Sequence, residues 1–421
     1  MKKFAVDLIE NSYAYYFSIN STDKKKFTLK KKTGILKRQF NDEWANVSHE
    51  LTSTRDADEF LEKSLPPKLH KPQNEVVFQP GKLLKENQYL LDALRDMEAM
   101  EWETVFRANH AKRIIIKKGA KEKINQFLHF SVLVKVRLKD QRHFIEVGEG
   151  STQAAKFNQN GIISRLKEII QNHKTKQTVD FKEKIPVILN SGDGGILLHE
   201  ILGHSLEADY IFQRRSPIAI ESIGQRIMPK HITVTTSDKN DAFFKDISCD
   251  DDGETPRSGP LIEKGILRGI ISDSFHKNLL NIKHCGFSRV EDFTHLPMPR
   301  MFALYLKPGD YHPDELIAST RYGVYAREFG EGKIHFDKNT FSFNIRDARL
   351  IENGKRTRPL GNIMVTGNII EILNSIDMVA NDFRYDKGIS YCFKNGQTLN
   401  VRVGQPTVKI NNLYVTNGID D

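Results

Sequence analysis

The segment that most restricts what this chain can fold into is Leu197-Leu198-His199-Glu200-Ile201-Leu202-Gly203-His204. It follows a buried-strand pattern, Ile185-Pro186-Val187-Ile188-Leu189-Asn190, and a glycine-rich turn, Ser191-Gly192-Asp193-Gly194-Gly195. A metal-dependent hydrolase needs neutral imidazoles to hold its ion and an unligated carboxylate beside them to accept a proton. His199, Glu200 and His204 are the right residue types, but their spacing is unusual. Residues four apart share a helix face, whereas five steps of ~100° turn two rings ~140° apart. Shared coordination by His199 and His204 therefore demands an irregular turn. A π-bulge, at ~4.4 residues per turn, would restore a common face. A distortion at Gly203, where glycine lowers the cost of unusual dihedrals, is the second route. The sequence thus predicts an irregularity around Leu202-Gly203, and without it the metal reading fails. The glycines match neither the Walker pattern nor G-x-G-x-x-G, and no lysine follows where a phosphate loop requires one.

Two imidazoles rarely hold zinc alone, so a third ligand is needed. The chain has three cysteines, Cys249, Cys285 and Cys392, and residue chemistry does not choose among them. Glu207 is open to three readings: ligand, partner of a ligand, or surface acid. An odd, sparse cysteine set argues against a disulfide framework. No run approaches the ~18–20 apolar residues of a membrane helix. Asp7 and Glu10 interrupt the position of a signal-peptide apolar core. The expected compartment is the cytoplasm, with no membrane partner.

At one domain per ~100–200 residues, 421 residues suggest two or three domains. The formal charge is +9, and it is unevenly spread. Residues 1–190 carry 35 Lys+Arg against 24 Asp+Glu, a net of +11, and residues 191–421 carry a net of −2. A basic half invites a nucleic-acid reading, which predicts binding that weakens steeply with salt and survives loss of the histidines. No zinc finger, RRM or KH signature supports it.

Lys24-Lys25-Lys26 and Lys30-Lys31-Lys32 flank Phe27-Thr28-Leu29 as a basic hairpin or loop edge. Prolines and glycine from Leu65-Pro66-Pro67 to Pro80-Gly81 read as a linker. Helical periodicity spans Leu83–Met100 and Ile162–Asn172. Arg113–Ile116 reads as a short strand, and Phe130–Val147 as two strands joined at Lys139-Asp140-Gln141-Arg142. Beyond residue 185 the chain is strand-rich, with turns at Asp252-Gly253, Asn353-Gly354 and Asn395-Gly396. The expected fold class is α+β in two domains. An N-terminal basic α/β domain covers 1–180, and a strand-rich C-terminal domain carrying the metal-site helix covers 181–421.

The C-terminal half resembles the TldD branch of the TldD/PmbA metallopeptidases, also called modulators of DNA gyrase. The resemblance rests on Leu197-Leu198-His199-Glu200-x-x-Gly203-His204-x-Leu206-Glu207-x-Asp209, His295-Leu296-Pro297-Met298-Pro299-Arg300-Met301, Leu350–Lys355 and Gly404-Gln405-Pro406-Thr407. It covers roughly residues 185–415 and is looser from about Leu83 to there. The first eighty residues depart from the family pattern. The resemblance implies zinc held by His199, His204 and the cysteine preceding a K-x-G-Q segment, here Cys392-Phe393-Lys394-Asn395-Gly396-Gln397. It further implies a peptidase acting on unfolded or leader-type peptides, in which Glu200 activates the metal's water. The expected assembly is a dimer, with itself or with a non-catalytic PmbA (TldE)-like homologue. The alternatives are a nucleic-acid or topoisomerase-interacting module, and a non-catalytic scaffold with a vestigial metal site.

Overall fold

Alternation of side chains along unusually long strands builds the N-terminal part. The computed structural model describes residues 4–40, 45–51, 80–97, 101–138, 144–153, 157–236, 241–244, 247–256 and 259–418. Six antiparallel strands lie in the order Ala45–Leu51, Lys25–Phe40, Phe4–Asn20, Glu101–Lys117, Lys123–Arg137 and Ile145–Ser151. Successive residues point to opposite faces of a sheet. One face, carrying Phe17, Trp102, Phe106, Val132, Val134 and Val136, packs on helices Pro80–Glu86, Gln88–Arg95 and Gln159–Thr175. The opposite face is polar. The register places Tyr16, Arg107 and Ser131 in one row across it, and Glu10, Arg113 and Asn125 in another.

That polar face explains what the sequence hid. The expected short strand Arg113–Ile116 is the end of a 17-residue strand. Its polar residues Arg107 and Asn109 face the C-terminal domain, so the strand lacks an apolar signature. All six strands pair antiparallel, so the N-terminal domain is not an interleaved α/β unit. The hairpin expected at Lys24–Lys32 turns earlier, at residues 21–24, so Lys25 to Lys32, with Phe27-Thr28-Leu29 among them, lie along its second strand. Pro80-Gly81 opens a helix instead of breaking one, because proline's missing N–H is harmless in a first turn. The periodicity over Leu83–Met100 resolves into two helices separated at Asn87, whose buried side-chain amide donates to Leu83 O at 3.0 Å. The Leu65–Pro72 stretch and the Lys139–Arg142 turn lie outside the described residues.

In the C-terminal domain, strands Ile185–Leu189, Tyr322–His335, Thr340–Glu352, Ile363–Asn368 and Val408–Asn417 each pair with two neighbours and close into a ring. Asn353 and Gly354, with φ of 50° and 73°, make the predicted turn after Glu352. A second sheet centres on Ala303–Leu306, which pairs in parallel with Arg402–Gln405. Between the two sheets sits the segment 195–212, buried through Leu197, Leu198, Ile201, Leu202 and Leu206 in one continuous apolar core.

The two domains are held together by polar contacts around residues 247–256. Arg113, buried, donates to both Asp251 carboxylate oxygens at 3.0 and 3.2 Å and pairs with Glu10 at 3.4 Å. Asn125 Nδ2 donates to Cys249 O at 2.7 Å, Lys123 Nζ to Gly253 O at 2.8 Å, and Lys117 pairs with Glu254. On the other side, Asp250, Asp251 and Asp252 accept backbone N–H bonds from Ser288, Val290 and Ser274 at 2.9, 2.9 and 3.0 Å. Asp252-Gly253 is therefore a turn inside an interdomain clamp, not a hairpin turn between paired strands. Replacing Arg113 with Met would strand two buried carboxylates. Chemical denaturation should show a loss of about 3–5 kcal/mol, the usual cost of breaking a buried pair from one side.

Candidate metal centre

The irregularity required by the His199–His204 spacing is present. Gly195–Leu198 is α-helical, His199–Gly203 forms one π turn, and His204–Leu206 tightens to a 3₁₀ turn. The His204 N–H donates to His199 O, five residues back, so the extra residue is absorbed within a single turn. Gly203 contributes differently from the expected distortion. Its dihedrals, φ −56° and ψ −55°, are ordinary helical values. Its role is close approach, since a Cβ there would run into Met301 Sδ. Upstream, Gly192 adopts φ +79°, and a Cβ on Gly194 would meet Asn190 O. The glycine turn is thus a packing device that seats the helix against Gln405, whose carbonyl accepts from Gly192 N at 2.9 Å.

The π turn puts the His199 and His204 ring centroids 5.1 Å apart, at 80° to each other. Cys392, 188 residues later in sequence, brings Sγ to 3.2 Å from His204 Nε2. One ligand atom from each of His199, His204 and Cys392 lies within 4.8 Å of the others, and all three side chains are buried. Among the described residues, neither ring nitrogen of the wholly buried His199 meets a partner at hydrogen-bond geometry. Leaving such a group unsatisfied is costly, and a metal ion would relieve it. Two imidazoles and a thiolate are a donor set suited to zinc.

Glu207 answers the question left open at that position. Its Oε2 sits 2.8 Å from His204 Nδ1, the nitrogen facing away from Cys392, so it fixes the ring and leaves Nε2 for a ligand. Lys394 Nζ in turn lies 2.8 Å from the same Glu207 oxygen and 2.9 Å from Asp209 Oδ1. Burial would push Glu207 up, but Lys394 and His204 outweigh it and hold the carboxyl at about 2. Burial likewise opposes a thiolate at Cys392, yet His204 and His199 keep it well below the usual thiol range. Glu200 is half-buried beside the pair, its Oε2 3.9 Å from His204 Nε2. Desolvation raises its pKa, against the pull of His204 and His199. Cys249 and Cys285 are buried elsewhere, and burial pushes their thiols up to about 11 and about 12.

Two of the sequence motifs, the His295–Met301 segment and the cysteine hairpin, converge on this cluster. Cys392 and Lys394 point inward from strand Tyr391–Lys394, while Phe393 between them is 72% exposed. The strand's apolar-out, charge-in alternation is the signal that would have identified Lys394. Arg300 Nη2 donates to Cys392 O at 2.6 Å, and Pro299 O accepts from Lys394 Nζ at 3.3 Å. Gln397 Nε2 donates to Leu296 O at 2.7 Å, tying the cysteine hairpin to the same segment.

The model of the PmbA/TldA metallopeptidase C-terminal domain matches residues 182–417. The chain belongs to the PmbA/TldD metallopeptidase family. A Metalloprotease TldD homolog of Buchnera aphidicola is 33% identical over 303 residues, covering 69% of this chain and 62% of the relative. A Zinc metalloprotease TldD homolog of Saccharolobus solfataricus is 31% identical over 260 residues, 62% of this chain and 57% of that one. This PmbA/TldD family member thus spans less than two thirds of the length of either relative. The crystal structure of TldE from Thermococcus kodakarensis shares the fold with a TM-score of 0.72, at 14% identity over 99% of this chain and 97% of that one.

The Lys394 network gives a pH-dependent expectation. With Lys394→Met, Glu207 and Asp209 are left without their buried cation, at a cost of about 3–5 kcal/mol near neutral pH. Glu207 has a folded pKa below its unfolded one, so its stabilisation is full above about pH 4.5 and lost as pH falls toward 2. Urea unfolding should therefore show the gap between wild type and variant narrowing over that window.

Proposed function

We propose that this chain is a zinc-dependent peptidase that hydrolyses peptide bonds in unfolded or leader-type peptides. The observation that carries the reading is a buried His199 whose ring nitrogens meet no described partner at hydrogen-bond geometry, packed against His204 and Cys392. His199, His204 and Cys392 are the proposed ligands. A bound zinc ion would supply Lewis-acid polarisation of a carbonyl and a lowered pKa for water. Glu200, the neighbouring carboxylate that is not a ligand, takes the proton from the attacking water and returns it to the leaving amine. Its partial desolvation favours that task, because a base whose pKa lies nearer the working pH both accepts and releases a proton readily. Glu207 orients the His204 ring, and Lys394 keeps Glu207 ionised. Arg300 holds the cysteine-bearing strand by its backbone.

The zinc naming of the Saccharolobus relative and the metallopeptidase family model support the reading. The assembly belonging to this reading is a two-subunit one, with a second copy or a TldE-like homologue. No described helix is long and apolar enough to cross a membrane. The nucleic-acid alternative is weakened by how the N-terminal cations are used. Lys32, Arg113 and Lys117 are committed to Asp292, Asp251 and Glu254 of the C-terminal domain.

Elemental analysis of protein purified without chelator should give one zinc per chain. Glu200→Gln should retain that zinc and lose cleavage of an unfolded peptide by at least a hundred-fold, the usual worth of a general base. Cleavage surviving in that variant would remove Glu200 from its role. Cys392→Ala should lose the metal while Cys249→Ala keeps it, and the reverse pattern would overturn the ligand assignment.

A further inference from the structure

A cavity of about 440 Å³ lies between the polar face of the N-terminal sheet and the C-terminal domain. That volume is in the range of small-ligand sites. Its origin is legible in the strand register. Ser12 and Ala14 pair with Ala111 and Asn109 in the middle of the face, while larger side chains such as Tyr16 and Arg107 stand beside them. Small residues in the centre leave the two domains out of contact there.

The acids of the wall are already engaged. Glu10 pairs with Arg113, Asp292 with Lys32, and Glu291 Oε2 accepts from Thr398 N at 2.7 Å. Three cations have no carboxylate within ion-pair distance among the described residues: Lys30, Arg107 and Arg289. Lys30 Nζ and the Arg107 guanidinium lie 5.7 and 5.9 Å from the centre of one ring, Tyr16. Arg107 Nε is buried and has no hydrogen-bond partner. Arg289 is buried and donates only to the carbonyls of Met301 and Asn400. Burial and the nearby Arg300 pull its pKa down to about 9. Gathering uncompensated cations in one partly enclosed space costs electrostatic energy that a bound anion removes.

We infer that this cavity is a second binding site, taking a carboxylate carried by the peptide substrate and binding it at the cations Lys30 and Arg107. The identification of the ligand as a peptide rests on the peptidase reading. The hairpin that carries the cluster also walls the cavity: Tyr391 and Asn400 line it, and Cys392, next to Tyr391 but facing the other side of the strand, belongs to the metal cluster. The site therefore selects for an acidic residue or a C-terminal carboxylate on the bound peptide.

The test uses the full chain carrying Glu200→Gln and fluorescein-labelled ten-residue peptides containing glutamate or, at the same position, glutamine. Fluorescence anisotropy should show glutamate peptides binding at least ten-fold more tightly at low salt, with the advantage shrinking as salt rises. Lys30→Met and Arg107→Met should each erase that preference, with melting temperatures showing that the fold persists. Lys30 is exposed, so its variant remains informative even if Arg107→Met unfolds. Equal affinity for the two peptides, or a preference unchanged in both variants, would overturn the inference. So would tight binding of inorganic phosphate or ADP that acidic peptides fail to displace. Because binding is read without turnover, a wild-type chain that cleaves nothing would remove the peptidase reading and leave a glutamate preference standing.

Discussion

One backbone hydrogen bond, from His204 N–H to His199 O, decides whether this chain has a metal centre. With an ordinary i→i−4 bond there, the two imidazoles would diverge by ~140° and no third residue could unite them. The π turn costs helical regularity, and the surrounding packing holds it in place. Leu197, Leu198, Ile201 and Leu202 fix the segment in the core on either side of the turn. Gly203 lets Met301 close against it. The irregular turn persists because its neighbours over-determine it.

The electrostatics follow from that placement. His204 faces Cys392 through one nitrogen and Glu207 through the other, and Glu207 faces Lys394. The Glu207 carboxylate has the Lys394 ammonium as its neighbour, and an opposite charge alongside is the condition for burying ionised groups at all. Asp209 shares that ammonium. Because Cys392 and Lys394 lie two residues apart on one strand, a single hairpin delivers both the thiolate and the cation that steadies the opposite side of the site.

The legible parts of the fold were those with a one-sided apolar pattern. The helix Gln159–Thr175 and the strand Ile185–Leu189 showed their periodicity because each buries a continuous apolar face. The strand Glu101–Lys117 did not, because its second face carries charges that meet the other domain, and a period-2 pattern with Arg107 and Arg113 on the inward side looks like surface. The same holds for Phe4–Asn20, where Glu10 and Tyr16 face inward. Pro80 misled for a local reason, since a proline that breaks a helix interior is well suited to beginning one.

What the sequence determined by itself was the chemistry on offer and the condition attached to it: two histidines and a glutamate whose five-residue spacing works only across an irregular turn. Spacing rules act over one helix, so that condition could be written down from local geometry. Residue chemistry left three cysteines open and the family resemblance pointed to Cys392; the tertiary structure brings Cys392 against the histidines, and it alone decided that Glu207 supports a ring instead of standing free and that Lys394 and Asp209 belong to the same network. Those partners are separated by up to 193 residues of chain, from His199 to Cys392. Only the packing of the cysteine hairpin against the 195–212 segment sets the distances between them, and no local pattern encodes a distance of that kind.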